Sequence, residues 1–297
     1  MTAGTYGLTG FFYAYSLLLS SRSRSLIKPH KFYQGNQFQH DVYLMQEDID
    51  RLITWCCHNK ISLNNSKCSH IKFTRKVNPV NSAYQINGVN LCEVDVVRDL
   101  GVILDSKLTF VPHVENIISR SQRMLGFVIR NGKVFKSPLT KLVLYNSLVR
   151  SILEYCSVIW RPHYATHSLR IERIQKRFIR YLGYSKGRQF KYLSYHDRLG
   201  WYKMSSLEAR RKVLDLRFAY KLLNNTIDCP QLVSKFSFRV PRVPPRKPIT
   251  PLAPPLRRTV FGANSPIPRM CKLINERSDL VDVHADSISV FVKNLNM

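Results

Sequence analysis

The chain has 297 residues, enough to bury one sizeable core or two modest ones, and its 44% hydrophobic and 11% aromatic content excludes wholesale disorder. Its formal net charge of +27, from 46 Lys+Arg against 19 Asp+Glu, disfavours a compact chain on its own and implies an anionic partner; nucleic acid ranks ahead of a membrane surface, because basic residues interleave with aromatics instead of forming a polybasic tail. Seven scattered cysteines, an odd number, exclude a disulfide framework and point to a reducing, intracellular compartment.

The first pattern in chain order is an apolar run from Leu8 to Leu19. It is too short for a bilayer span, which takes about 20 residues. No basic residue precedes it, as a signal peptide requires. Ser20 to His40 is basic and polar without apolar periodicity, so residues 1–40 read as a segment apart from the rest of the chain. From Asp41, a fair N-cap, Met45, Ile49, Leu52, Ile53 and Cys56 fall at helical spacing. Cys56, Cys57, His58, Cys68 and His70 lack the Cys-x₂-Cys spacing of zinc modules and read as core cysteines with no metal.

Short strands come next. Tyr84–Ile86 and Val89–Leu91 flank Asn87-Gly88, the strongest short hairpin signal. Val96 to Leu104 is β-branched and apolar and reads as one buried strand ending at Asp105-Ser106. Residues 41–111 therefore form a small antiparallel sheet with one helix. Asp99 and Asp105 suggest a two-metal carboxylate pair, but their places fit turn and cap roles better.

Beyond Pro112, which suits a helix's first turn, the pattern is helical to about Tyr184. Val114, Ile117, Ile118, Ser121, Met124, Leu125 and Val128 make one face. From Leu139, apolar residues through Leu153 cover most of the circumference and predict the buried centre of a bundle. On a third helix, Ser168 to Leu182, Ile171, Ile174, Phe178 and Leu182 share one face, while Arg170, Arg173, Lys176, Arg177 and Arg180 crowd another. Arginine suits phosphate contact because its planar fork pairs bidentately with phosphate oxygens. Residues 185–238 carry a loop from Gly183 to Gly200, then a second basic helix over Met204–Leu223 with Leu207, Leu214, Phe218 and Leu222 as its apolar stripe. Residues 239–258 form a Pro/Arg-rich extended arm, and 259–297 hold C-terminal helices. The fold class is α+β: the small sheet, a mostly helical bundle over 112–184, the basic extension and the arm.

Asp99-Leu-Gly-Val, Leu108-Thr-Phe110 with His113, and Leu144-Tyr145 running into Leu148-Val-Arg-Ser-Ile-Leu-Glu-Tyr155 resemble reverse transcriptases of jockey-like non-LTR retrotransposons. The similarity is to the part beyond the catalytic box, the end of the palm and the thumb. It extends from about Asp41 through a terminal block at Arg258-Thr259, Asn264 to Met270 and Asn275. The resemblance implies RNA-directed DNA polymerase ancestry, nucleic acid as partner, and Lys67 near the position of an incoming nucleotide. It implies Mg²⁺ only for an intact parent enzyme. Polymerases of that family carry Tyr-Ala-Asp-Asp; here Tyr13-Ala14-Tyr15-Ser16 has similar flanks and neither aspartate.

The expectation is a fragment without the catalytic carboxylates, with no cofactor, no small-molecule substrate and no membrane partner. Phosphate backbone is then held by Arg170, Arg173, Lys176, Arg177, Arg180 and Lys67. Two alternatives remain: a truncated part of an active polymerase gene, and a transposon remnant without a role.

Overall fold

The computed structural model describes residues 38–75, 77, 82–184, 187–239, 250–278 and 290–291. The apolar run at Leu8–Leu19 and Tyr13–Ser16 lie outside the described residues. The chain falls into two compact units, Met1–Phe110 and Val111–Met297. The architecture is α+β, mostly helical with short strands.

In the first unit, helix α1 (Phe38–His58) starts ahead of Asp41, which is a first-turn residue and not the cap. Its Gln46 docks it onto β2 (Gln85–Ile86): the side-chain amide donates to the Gln85 carbonyl and accepts from the Gln85 N–H, both at 2.9 Å. That amide imitates a neighbouring strand. β2 pairs antiparallel with β3 (Val89–Asn90) across Asn87 and Gly88, whose φ of 51° and 78° are the left-handed values a two-residue hairpin needs.

The expected single strand from Val96 to Leu104 is instead a second hairpin, β5 (Val96–Asp99) with β6 (Val102–Asp105). Leu100 and Gly101 make the turn with φ of 46° and 85°. Gly101 supplies the positive φ, but Leu at the first turn position disguises the turn as part of an apolar run. The small sheet is likewise not continuous. β1 (Ser69–His70) pairs parallel with β4 (Cys92–Glu93), and the three pairs are separate two-stranded ladders.

Asp105 closes this unit's last turn. Its carboxylate accepts from the Thr109 N–H and hydroxyl, both at 2.9 Å, and from the Phe110 N–H at 2.8 Å. Leu108 and Phe110 hold left-handed φ of 50° and 58° there, which costs roughly 1–3 kcal/mol each. Burial of both side chains, about 1.5–3 kcal/mol apiece, offsets that strain.

The second unit is a helical bundle. α2 (Val111–Asn131) takes Pro112 in its first turn and buries Val114, Ile117, Ile118, Ser121, Leu125 and Val128, the expected face. α3 (Pro138–Tyr145) continues through a π turn, Asn146–Arg150, into α4 (Ser151–Glu154). The fully buried line is Tyr145, Val149 and Leu153, while Leu148 and Ile152 are half-buried. Apolar residues all round gave no phase, and the extra residue of the π turn sets it.

Cys156, in left-handed conformation, breaks the chain between α4 and α5 (Ser157–Trp160). α6 (Ala165–Gly183) follows and packs on α2. The span expected as a loop from Gly183 to Gly200 contains α7 (Gly187–Tyr192) and α8 (Tyr195–Trp201), the latter capped by Ser194.

α9 (Leu207–Leu223) departs from its expected stripe: Leu207 and Leu222 are buried, Leu214 and Phe218 only half so, and Arg211 and Asp215 join the core. α10 (Pro230–Val233) precedes β7 (Ser237–Phe238), which pairs with β8 (Leu252–Ala253). The end of the Pro/Arg arm is thus structured, with Leu252 buried; residues 240–249 lie outside the described residues. α11 (Val260–Ala263) and α12 (Pro266–Asn275) complete the described elements. Asn275 repeats the device of Gln46, donating to the Leu252 carbonyl at 2.8 Å and accepting from its N–H at 3.0 Å. Among the described residues no helix is long and apolar enough to cross a membrane.

Candidate nucleic-acid interface

α6 owes its orientation to a buried polar network as much as to its apolar face. Gln175, fully buried, accepts from the Tyr145 hydroxyl at 3.1 Å and donates to Tyr195 and to the Ser205 carbonyl at 3.0 and 2.9 Å. The Tyr195 hydroxyl donates to Glu172 at 2.5 Å, and the same carboxylate oxygen accepts from the Leu207 N–H at 3.2 Å. With Ile171, Ile174, Phe178 and Leu182 buried around them, these groups fix the rotation of α6 about its own axis.

The opposite side carries the predicted arginines. At about 100° per residue, Arg173, Arg177 and Arg180 fall within roughly 60° of one another and face away from the buried residues. All three are exposed, and among the described residues none is ion-paired. Arg170 and Lys176 flank the stripe and are engaged. Arg170 forms a bidentate pair with Glu115 on α2, its second contact at 2.7 Å, and this guanidinium holds the Glu115 carboxyl below the usual carboxylate range. Lys176 lies over the Tyr195 ring at 5.0 Å. Lys67 belongs to the first unit, exposed at the end of a 3₁₀ turn, Asn65–Lys67.

The acids of the second unit explain why the stripe stays cationic. Glu154 is taken by Arg210, Asp215 by Arg161 and Arg269, Glu208 by Lys212, and Glu172 by Tyr195. None is within ion-pairing distance of Arg173, Arg177 or Arg180 among the described residues.

By contrast, two of the three arginines of the second basic helix are used internally, Arg210 on Glu154 and Arg211 in the core, and Arg217 stays exposed. On α9, Arg211 is 1% exposed and reaches Ser168 at 3.3 Å; burial pulls its guanidinium below the usual arginine range. Asp215 of the same helix, 0% exposed, is clamped by Arg161 at 2.7 Å and Arg269 at 2.8 Å. Sequence reasoning misses this cluster; Asp215 at four residues from Arg211, inside a stripe of apolar residues, is the available signal. Near the end of α6, Tyr184, Tyr192 and Trp201 are exposed, whereas the sequence favours packing beneath a loop over stacking on bases for the rings of this stretch.

Of the two carboxylates considered for metal, Asp99 ends strand β5 and Asp105 ends β6 as a cap. Both Asp105 oxygens accept backbone N–H groups, so this residue is a cap. Among the described residues no group of three or more His, Cys, Asp or Glu is placed to hold a metal ion.

No family model matches the chain, and no solved structure matches it. The chain is similar to the probable RNA-directed DNA polymerase from transposon X-element of Drosophila melanogaster, 28% identical over 138 residues. It is 31% identical over 140 residues to the probable RNA-directed DNA polymerase from transposon BS of the same species. To the RNA-directed DNA polymerase from mobile element jockey of Drosophila funebris it is 27% identical over 140 residues. Each match covers 46% of this chain and only 15% of the relative's length. The chain therefore contains a region related to the polymerases of jockey-like, non-LTR retrotransposons.

Proposed function

We propose, starting from that relationship, that this chain is a non-catalytic, nucleic-acid-binding piece of a retrotransposon RNA-directed DNA polymerase, gripping phosphate backbone without sequence preference. The observation that carries the reading is the Arg173–Arg177–Arg180 stripe, exposed and, among the described residues, with no acid in ion-pairing distance, on a helix whose rotation is fixed by the Gln175 and Glu172 network. Arg170 and Lys176 widen the cationic face, and Lys67 is a separate contact in the first unit. A phosphate diester needs a row of positive groups at helical spacing and no base-edge donors, which is what this face offers.

Polymerisation requires carboxylates holding two divalent ions at the primer 3′-oxygen. The 297 residues contain no adjacent aspartate pair, and Asp105 is occupied by backbone. We accordingly assign no Mg²⁺ site and no polymerase activity to this chain. Polymerisation belongs to a longer protein of the kind it matches.

Binding of a blunt DNA duplex should weaken steeply with salt, each neutralised phosphate adding about −0.9 to the slope of log K against log salt. Replacing Arg173 and Arg177 together with Gln should flatten that slope by about two and weaken binding evenly across sequences. An unchanged slope in a variant of intact helicity rejects the stripe as the binding face. Template-dependent nucleotide incorporation by the chain, with Mg²⁺ on a primed RNA, rejects the non-catalytic assignment.

A further inference from the structure

The arginine stripe does not stop at Arg180. Four residues on, Tyr184 follows α6 in helical conformation, φ −56° and ψ −31°, so it continues the line of Arg173, Arg177 and Arg180. Its side chain is 81% exposed.

A second exposed ring stands at the same end of the helix. A Cβ on Gly183 would meet the Phe190 ring at 2.0 Å, so the ring of Phe190 lies directly on the last turn of α6, where only glycine fits. Phe190 is itself buried, and Trp201 at the end of α8 stands edge-on against it, ring centroids 6.3 Å apart at 90°. Trp201 remains 60% exposed. Phe190 thus acts as a peg holding an exposed indole beside the C-terminal end of the cationic stripe.

Exposed aromatic rings offer flat apolar faces on which a partner can stack. The neighbouring charge decides which partner. A row of arginines with no ion-pairing acid among the described residues suits a polyanion, and a polyanion whose chemistry also presents flat apolar faces is a nucleic-acid strand with unpaired bases. A closed duplex hides those faces within its stack.

We propose that Tyr184 and Trp201 form a stacking platform for unpaired bases, taking single-stranded nucleic acid whose backbone runs along Arg173, Arg177 and Arg180. This rests on the phosphate-contact reading of the stripe. It adds that the same surface distinguishes a single strand from a closed duplex.

The test uses the full chain carrying Trp55→Phe. Trp201 is then the one exposed tryptophan, because Trp160 is 1% exposed. Oligothymidylate of about ten nucleotides, within the usual footprint of a single-strand site, should quench Trp201 emission saturably. Tyr184→Ala and Trp201→Ala should each weaken oligothymidylate binding roughly tenfold, the order of one lost base–ring stack. Trp201→Phe should retain most of the affinity, and a duplex closed by hairpins at both ends should bind all variants alike. Oligothymidylate binding with no quenching, and unaltered by Tyr184→Ala or Trp201→Ala, overturns the platform; if the duplex salt slope still responds to the arginine substitutions, the stripe reading stands. A blue-shifted emission on phosphatidylserine vesicles with no response to oligothymidylate overturns it in favour of a membrane surface. Failure of the parent chain to bind either nucleic acid overturns stripe and platform together.

Discussion

Helices α6 and α9 look alike in sequence and behave oppositely in the fold. Both are amphipathic and rich in arginine. α6 keeps Arg173, Arg177 and Arg180 in water, whereas α9 turns Arg211 into the core and buries Asp215 between Arg161 and Arg269. The difference lies in the acids. On α6 the one acidic residue, Glu172, is buried and engaged by Tyr195 and the Leu207 N–H, which leaves the arginines without a partner to pull them inward. On α9, Asp215 lies on the buried side and draws guanidinium groups from α12 and from the end of α5. A basic helix is therefore a candidate binding face only where its neighbours leave the charge unclaimed.

The largest test of this contrast is Asp215→Ala. It strands Arg161 and Arg269 in a poorly solvated site, and breaking a buried pair costs about 3–5 kcal/mol. A denaturant midpoint equal to the parent's would show that α9 is no more internal than α6. Leu153→Ala, in the fully buried line that crosses the π turn, should destabilise the bundle by roughly 2–5 kcal/mol. Leu148→Ala, half-buried on the same helix, should cost less; equal losses would mean the π turn does not set the phase.

A smaller effect concerns alkaline pH and the network that orients α6. Burial first, and Glu172 second, push the Tyr145 phenol well above the ordinary tyrosine range, where it stacks on Phe178 at 4.0 Å. The folded chain then keeps a proton that the unfolded chain loses near pH 10, so stability is full below that pH and falls as pH rises beyond it. The slope contributed is about 1.4 kcal/mol per pH unit. Tyr145→Phe should remove that share of the alkaline loss, as followed by urea midpoints between about pH 8 and about pH 11. An identical pH profile in the variant would place Tyr145 in contact with solvent.

The smallest stability effect should come from Arg173→Gln, within about 0.5 kcal/mol, since the residue is exposed and has no ion pair among the described residues. A larger loss by thermal melting would mean that the stripe serves the fold, which would weaken its assignment to binding.

The sequence by itself determined the local features whose cause is local. Asn87-Gly88 specifies a hairpin because both residues tolerate positive φ, and the apolar spacing on α2 and α6 specifies which face is buried because a helix repeats every 3.6 residues. The arginine stripe was legible for the same reason. Net charge and the ordered blocks from Asp99 to Tyr155 carried the relationship to transposon polymerases.

Only the tertiary structure decided matters that depend on partners distant in the chain. Leu100-Gly101 became a turn because β5 and β6 pair. Arg170 left the free stripe because Glu115 on α2 lies within reach, and Arg211 entered the core because α9 packs with that side inward. Trp201 came to the end of α6 because Phe190 seats on Gly183. A charge or a ring has no fixed role in sequence: whether it is neutralised, buried or presented to a ligand depends on what the fold brings within a few ångströms of it.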